Sequence, residues 1–143
     1  HNLISNLSHR APLARNKSGR FVNNIVYNFK WYMTHLSGGL NWDVIGNKYA
    51  RGPLGPSNAH EIGVIRGGWV PSKQAPGSPS IFISGNIGWN QTNPAGNQQD
   101  MAVEVNGENG PEVGPVPVAW RRSSPLPASR SCSIEKSASL EAG

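Results

Sequence analysis

Apolar residues along this chain fall into short runs rich in Ile, Val and aromatics, separated by turn formers. No window holds a long stripe of 3.6-residue period free of Gly or Pro, which excludes a helical bundle. The pattern predicts strands near 2–7, 20–28, 40–48, 61–65 and 80–87, with turn-rich loops at 52–58 and 71–79. From 91 to 114 polarity is high and periodicity poor, which reads as an extended loop lying along the strands. The stretch 113–127, with Pro115, Pro117, Pro125 and Pro127, reads as an extended, polyproline-like strap. Residues 134–142 (Ile-Glu-Lys-Ser-Ala-Ser-Leu-Glu-Ala) read as a short helix that is marginal on its own.

One short pattern recurs: Asn, an aliphatic, two variable residues, Asn. It stands at Asn2-Leu3-Ile4-Ser5-Asn6, at Asn24-Ile25-Val26-Tyr27-Asn28 and at Asn86-Ile87-Gly88-Trp89-Asn90. A weaker echo sits at Asn47-Lys48-Tyr49, after Val44-Ile45-Gly46. The first Asn steps by 22, then 23, then 39 residues, the last being one period with an excursion inserted. Such a period is that of a parallel β-solenoid, whose coils stack about 4.8 Å apart with equivalent side chains aligned. Asn suits the repeat position for two reasons. It tolerates the left-handed backbone of a sharp inter-strand turn, and stacked amides hydrogen-bond up a column. The expected fold class is therefore all-β.

Composition sharpens this picture. In 143 residues there are 17 Gly, 12 Pro and 15 Asn, with 36% hydrophobic residues: a turn-dense β protein with room for one core. No apolar run approaches the roughly 18 residues of a membrane helix. The single cysteine, Cys132, forms no internal disulfide. The chain opens at His1 directly on an apolar run, so further residues upstream are expected.

The net charge of +5 favours an anionic partner. His9, Arg10, Arg15, Lys17 and Arg20 place a basic cluster between two predicted strands, where a polyanion would lie across it. Nucleic acid is disfavoured: there is no helix-turn-helix, zinc knuckle or RNP-like aromatic pair, and the basic residues do not continue elsewhere. His1, His9, His35 and His60 share no metal-ligand spacing with one another or with Cys132. Asp43 and Asp100 are the only aspartates, too few alone for a calcium cage. Glu104, Glu108 and Glu112 read as a solvated acidic loop, because Gly107 and Gly110 oppose a helix there. Trp31, Trp42, Trp69, Trp89 and Trp120 read mainly as core and cover, with sugar stacking as the alternative.

Within the cluster, Arg10-Ala11-Pro12-Leu13-Ala14-Arg15 has the form Arg-x-Pro-x-x-Arg. Here the sequence resembles the pectate lyases of the pectate/pectin lyase superfamily (polysaccharide lyase family 1-like), in their C-terminal part. The run from His1-Asn2-Leu3-Ile4-Ser5-Asn6 to Ser8-His9-Arg10-Ala11-Pro12 is similar to the strand and turn entering that motif. Phe21-Val22-Asn23-Asn24-Ile25-Val26-Tyr27-Asn28 is similar to the family's next coil, and Val44-Ile45-Gly46-Asn47-Lys48-Tyr49 with Arg51-Gly52-Pro53 to the one after. The likeness covers residues 1–53 well and extends to about 90, with a faint echo of the terminal helix at 134–140.

The resemblance implies a right-handed parallel β-helix: coils over 1–90, then a polar loop, Pro-rich strap and short terminal helix over 91–143. It implies a secreted lyase, monomeric when complete, that cleaves polygalacturonate by β-elimination. Carried over, Arg10 takes the proton from C5 of the uronate and Arg15 binds the substrate carboxylate. Lys17 and Arg20 add positive field and substrate contacts. The family's calcium acidifies the C5 proton, and its ligands are expected upstream of this chain, so no metal ligand is assigned here. Two alternatives accompany this reading. One is a pectin lyase acting on the methyl-esterified polymer, and the other a non-catalytic β-solenoid that binds acidic polysaccharide.

Overall fold

A computed structural model describes residues 1–31, 33–54, 60–65, 77–107 and 110–128. The expected helix at 134–142, most of the expected loops at 52–58 and 71–79, Trp69, Glu108 and Cys132 lie outside the described residues. Among the described residues no helix is long and apolar enough to cross a membrane.

Among the described residues eleven strands are seen: β1 (Leu3–Leu7), β2 (Leu13–Ala14), β3 (Ser18–Val22), β4 (Ile25–Phe29), β5 (Thr34–Ser37), β6 (Asn41–Ile45), β7 (Lys48–Ala50), β8 (Ile62–Ile65), β9 (Ser80–Ser84), β10 (Ala102–Val105) and β11 (Glu112–Pro115). They build three sheets, ordered β1-β4-β7, β2-β5-β8-β10-β11 and β3-β6-β9. Every pairing between named strands is parallel except the β10–β11 hairpin. β1 to β6 each pair with the strand three later in the chain, and β8 pairs with β10. The chain is all-β with parallel sheets.

The sheets face inward with aligned apolar columns, such as Ile4–Val26–Tyr49, Ala14–Leu36–Val64 and Phe21–Val44–Ile83. These residues belong to one core cluster, with Ile4 packed at its margin. Alternation in β3 and β6 sends Phe21 and Val44 inward and turns Arg20 and Asp43 outward. Gly19 is small by necessity: a Cβ there would stand 2.5 Å from the Trp42 ring.

The Asn repeat forms a hydrogen-bonded column. Asn2 Nδ2 donates to Asn24 Oδ1 (2.8 Å), Asn24 Nδ2 to Asn47 Oδ1 (2.9 Å) and Asn47 Nδ2 to Asn86 Oδ1 (3.0 Å). The backbone N–H of each donor residue reaches the same oxygen, at 2.9–3.1 Å. Gln98 ends the column: its Oε1 accepts from Asn86 N (2.7 Å), and its Nε2 donates to the Asn86 carbonyl (3.2 Å). The two roles expected of Asn prove to be divided. The left-handed residue is the one before the ladder amide, namely Asn23, Gly46 and Gly85, with φ of 55°, 64° and 67°. The second Asn of the repeat is also left-handed, at Asn6 and Asn28 (φ 58° and 56°), and these two amides bond at 2.5 Å.

Several sequence expectations are revised. The stretches 20–28 and 40–48 each split into two strands, because the left-handed residue and ladder Asn make a two-residue bend between sheets. The region 91–114 is not one loop: it holds a short 3-10 turn (Gln98–Met101), β10 and β11. β10 pairs with β8 and extends the central sheet. The stretch 113–127, expected as one strap, begins within β11 and passes through a 3-10 turn at Val118–Trp120. After an isolated bridge between Ile81 and Arg121, residues 122–128 run back over the β3-β6-β9 sheet and cover Asp43.

Asn47 uses its side chain for four bonds, to Asn24, Phe21 and Asn86. Asn47→Ala is expected to lower unfolding free energy by about 3 kcal/mol, since it strands several buried polar groups at once. Asn2→Ala, at the exposed end of the column, is expected to cost less than about 1 kcal/mol. Chemical denaturation of the two variants measures this; equal losses would contradict a column whose strength lies in burial.

Candidate functional site

β2 is only two residues long, and the Arg-x-Pro-x-x-Arg segment wraps it, so Arg10 precedes the strand and Arg15 follows it. Two backbone bonds from the next level fix the approach: Ala11 N donates to the Met33 carbonyl (2.6 Å) and His35 N to the Pro12 carbonyl (2.9 Å). Arg10 itself adopts a left-handed backbone (φ 57°), and the Ala11–Pro12 peptide is cis.

In register with Leu13, one strand along, stands His35. It is fully buried. Burial, then the charges of Arg10, His9 and Arg15, push its pKa down to about 3. It is thus a neutral imidazole set among three cationic or ionisable neighbours. Burial lowers the pKa of Arg10 below the ordinary arginine value, and lowers that of His9, which Arg10 disfavours further. His9 also meets Trp31 edge-on, with ring centroids 6.2 Å apart. The site is therefore a half-buried guanidinium, a second guanidinium across a two-residue strand, and a neutral histidine beside them.

The other two expected residues are placed differently. Lys17 is exposed on the turn after β2. Arg20 lies on β3, in a different sheet from β2 and in register with Asp43. Its Nε is 3.1 Å from Asp43 Oδ2, and its Nη2 donates to the carbonyls of Leu126 and Pro127. Arg122 Nη2 holds the other carboxylate oxygen at 2.6 Å, and the Leu126 N–H reaches both oxygens at 3.1 and 3.0 Å. Arg20 thus fastens the strap to a wholly buried carboxylate, because the parallel register sets it beside Asp43, one repeat away.

Glu112 is not simply solvated either. It accepts from the His60 backbone N–H at 3.0 Å and meets His60 Nδ1 at 2.9 Å, beside a groove of about 550 Å³ lined in part by Gln99 and Asp100. Another buried carboxylate, Glu61, accepts from Asn90 N (2.9 Å) and Nδ2 (2.8 Å). Buried Tyr49 bonds Thr34 Oγ1 at 2.6 Å; burial raises its pKa, the Thr34 bond works against this and Glu61 adds to it. Among the described residues no group of three His, Cys, Asp or Glu side chains is gathered as for a metal ion.

His35 is the site residue that sequence reasoning missed as such. A signal for it existed: adding the 22-residue period to Leu13, inside the motif, lands on His35. Comparison with protein families, with curated proteins and with solved structures finds no match for this chain.

A pKa lowered on folding costs stability as pH falls. Between about 6.5 and 3 the unfolded chain binds a proton at His35 and the folded chain does not. His35 is therefore expected to weaken the fold on acidification, by up to about 1.4 kcal/mol per pH unit in that window. Its imidazole resonances are expected to stay constant from pH 7 to 4 in an NMR titration. Titration near pH 6 would contradict the buried, cation-flanked placement.

Proposed function

We propose that this chain is part of a right-handed parallel β-helix of the pectate lyase kind and acts on polygalacturonate by β-elimination. The observation that carries the reading is the pair Arg10 and Arg15 held on either side of β2 beside buried His35. The stacked order of the three sheets and the Asn column support the fold part of it.

In the proposed reaction a base takes the proton from C5 of a uronate, the C4–O bond to the next sugar breaks, and a C4=C5 double bond forms. The electron pair leaves with the glycosidic oxygen, which then gains a proton. Arginine is an unpromising base in water because it holds its proton above pH 12. Burial works in the required direction at Arg10. A guanidinium offers a planar two-toothed fork for a carboxylate, the task proposed for Arg15. Lys17 adds to the positive field from the exposed turn. Calcium belongs to the proposal with its ligands expected upstream. The described residues offer no cluster that fits it, so no step here is routed through the ion.

The test is ultraviolet detection of unsaturated uronate released from polygalacturonate, by the chain carrying its upstream residues, with calcium and with chelator. Calcium-dependent product that rises with pH is expected. Arg10→Lys is expected to lower turnover by roughly 10²- to 10⁴-fold while polymer binding persists. No product from a folded chain that binds the polymer would overturn the lyase in favour of a binding module. Chelator-resistant product from methyl-esterified polymer alone would indicate a pectin lyase.

A further inference from the structure

Three Asn-x-Ser/Thr triplets without a central proline stand in the sequence: Asn6-Leu7-Ser8, Asn16-Lys17-Ser18 and Asn90-Gln91-Thr92. Such a triplet is the acceptor pattern for an N-linked glycan, a bulky and soluble group that only a surface position accommodates. All three triplets lie wholly within the described residues, and the fold treats them differently.

Asn6 and Asn90 are tied into the structure. Asn6 Oδ1 accepts from Asn28 Nδ2 in a part-buried bond, its backbone is left-handed (φ 58°), and Leu7 packs against the core. Asn90 donates through N (2.9 Å) and Nδ2 (2.8 Å) to the wholly buried Glu61. Its neighbour Gln91 is bonded across its own loop: Nε2 donates to the Asn97 carbonyl (3.1 Å) and Oε1 accepts from Asn93 N (3.0 Å). A sugar on either carboxamide would need room beside a packed group, where close packing leaves little.

Asn16 is placed otherwise. Asn16, Lys17 and Ser18 are three consecutive exposed residues where the turn after β2 enters β3. Among the described residues β3 is the outer strand of its sheet, so no strand lies beyond Ser18. Asn16 Nδ2 donates to the Ser18 carbonyl at 2.7 Å, and this bond is exposed, unlike those of Asn6 and Asn90. A side-chain amide carries two hydrogens. Linking a sugar replaces one of them and leaves the other for the Ser18 carbonyl, so the turn keeps its bond.

We propose that Asn16 is an N-glycan acceptor, and that of the three triplets it alone carries a glycan in the folded chain. In the transfer, Nδ2 of Asn16 attacks C1 of an oligosaccharide held on a polyprenyl diphosphate. The C1–O bond breaks, the diphosphate leaves with the electron pair, Nδ2 gives up a proton, and the C1–Nδ2 bond forms. The fold then acts as a filter, retaining the glycan where it displaces no packed group. The proposal stands independently of the polygalacturonate reading.

The experiment is expression of residues 1–143 behind a secretion signal in a eukaryotic host. Enzymatic release of the glycan converts the carrying Asn to Asp, which peptide mass spectrometry locates. Asp is expected at position 16, with Asn6 and Asn90 unmodified. Ser18→Ala is expected to abolish the modification and Ser18→Thr to keep it, since the transfer requires a hydroxyl two residues after the Asn. Wild type and Asn16→Gln are expected to be secreted alike, with matching circular dichroism. Occupancy is read on retained as well as secreted chain, so poor export does not hide the answer. Unmodified Asn16, a glycan confined to Asn6 or Asn90, or secretion of Asn16→Gln alone overturns the proposal.

Discussion

A side-chain amide that spans one strand spacing is the interaction on which this structure depends. Each ladder Asn accepts a backbone and a side-chain N–H from the level before and donates to the level after. The bend between two sheets thereby keeps the same hydrogen-bond continuity as the strands. A bend of two residues would otherwise leave buried N–H groups without partners at every turn of the chain. With the amides in place the bend repeats in register, and every residue a fixed offset from an Asn inherits a fixed place. Gln98 substitutes for Asn at the far end because the approaching segment is a 3-10 turn, from which a longer side chain is needed.

From that frame the two basic groups take different roles by parity alone. Arg10 and Arg15 lie on turns at the ends of a two-residue strand, where side chains reach the surface. Arg20 lies within a five-residue strand whose outward neighbour is Asp43. The carboxylate has no water to face, because the strap closes over it, and two guanidinium groups with a backbone N–H replace that water. A cluster that looks uniform in sequence is divided by the fold into a surface pair and a structural clamp.

Much of the frame was legible in the sequence, since Asn2, Asn24, Asn47 and Asn86 name the column and the inserted excursion between the last two. What escaped has physical causes. β2 is too short to show alternation, and β5 (Thr-His-Leu-Ser) is buried on both faces, so its polar letters concealed a central strand. β10 was hidden among polar neighbours because its pairing with β8 comes from the stack, not from its own composition. The partners of Arg20 stand 23 and more than 100 residues away, beyond the reach of any local pattern. His35 looked like one histidine of four until the repeat offset is applied to Leu13.

The most direct test of this account is hydrogen exchange of the side-chain amides by NMR. The account requires the amide protons of Asn24, Asn47 and Asn86 to exchange as slowly as the backbone N–H groups of the central strands. Those of exposed Asn16 and Asn93 are required to exchange rapidly. If the three ladder amides exchanged as fast as the two exposed ones, the column would not hold the levels together, and the placement of Arg10, Arg15 and His35 would lose its basis.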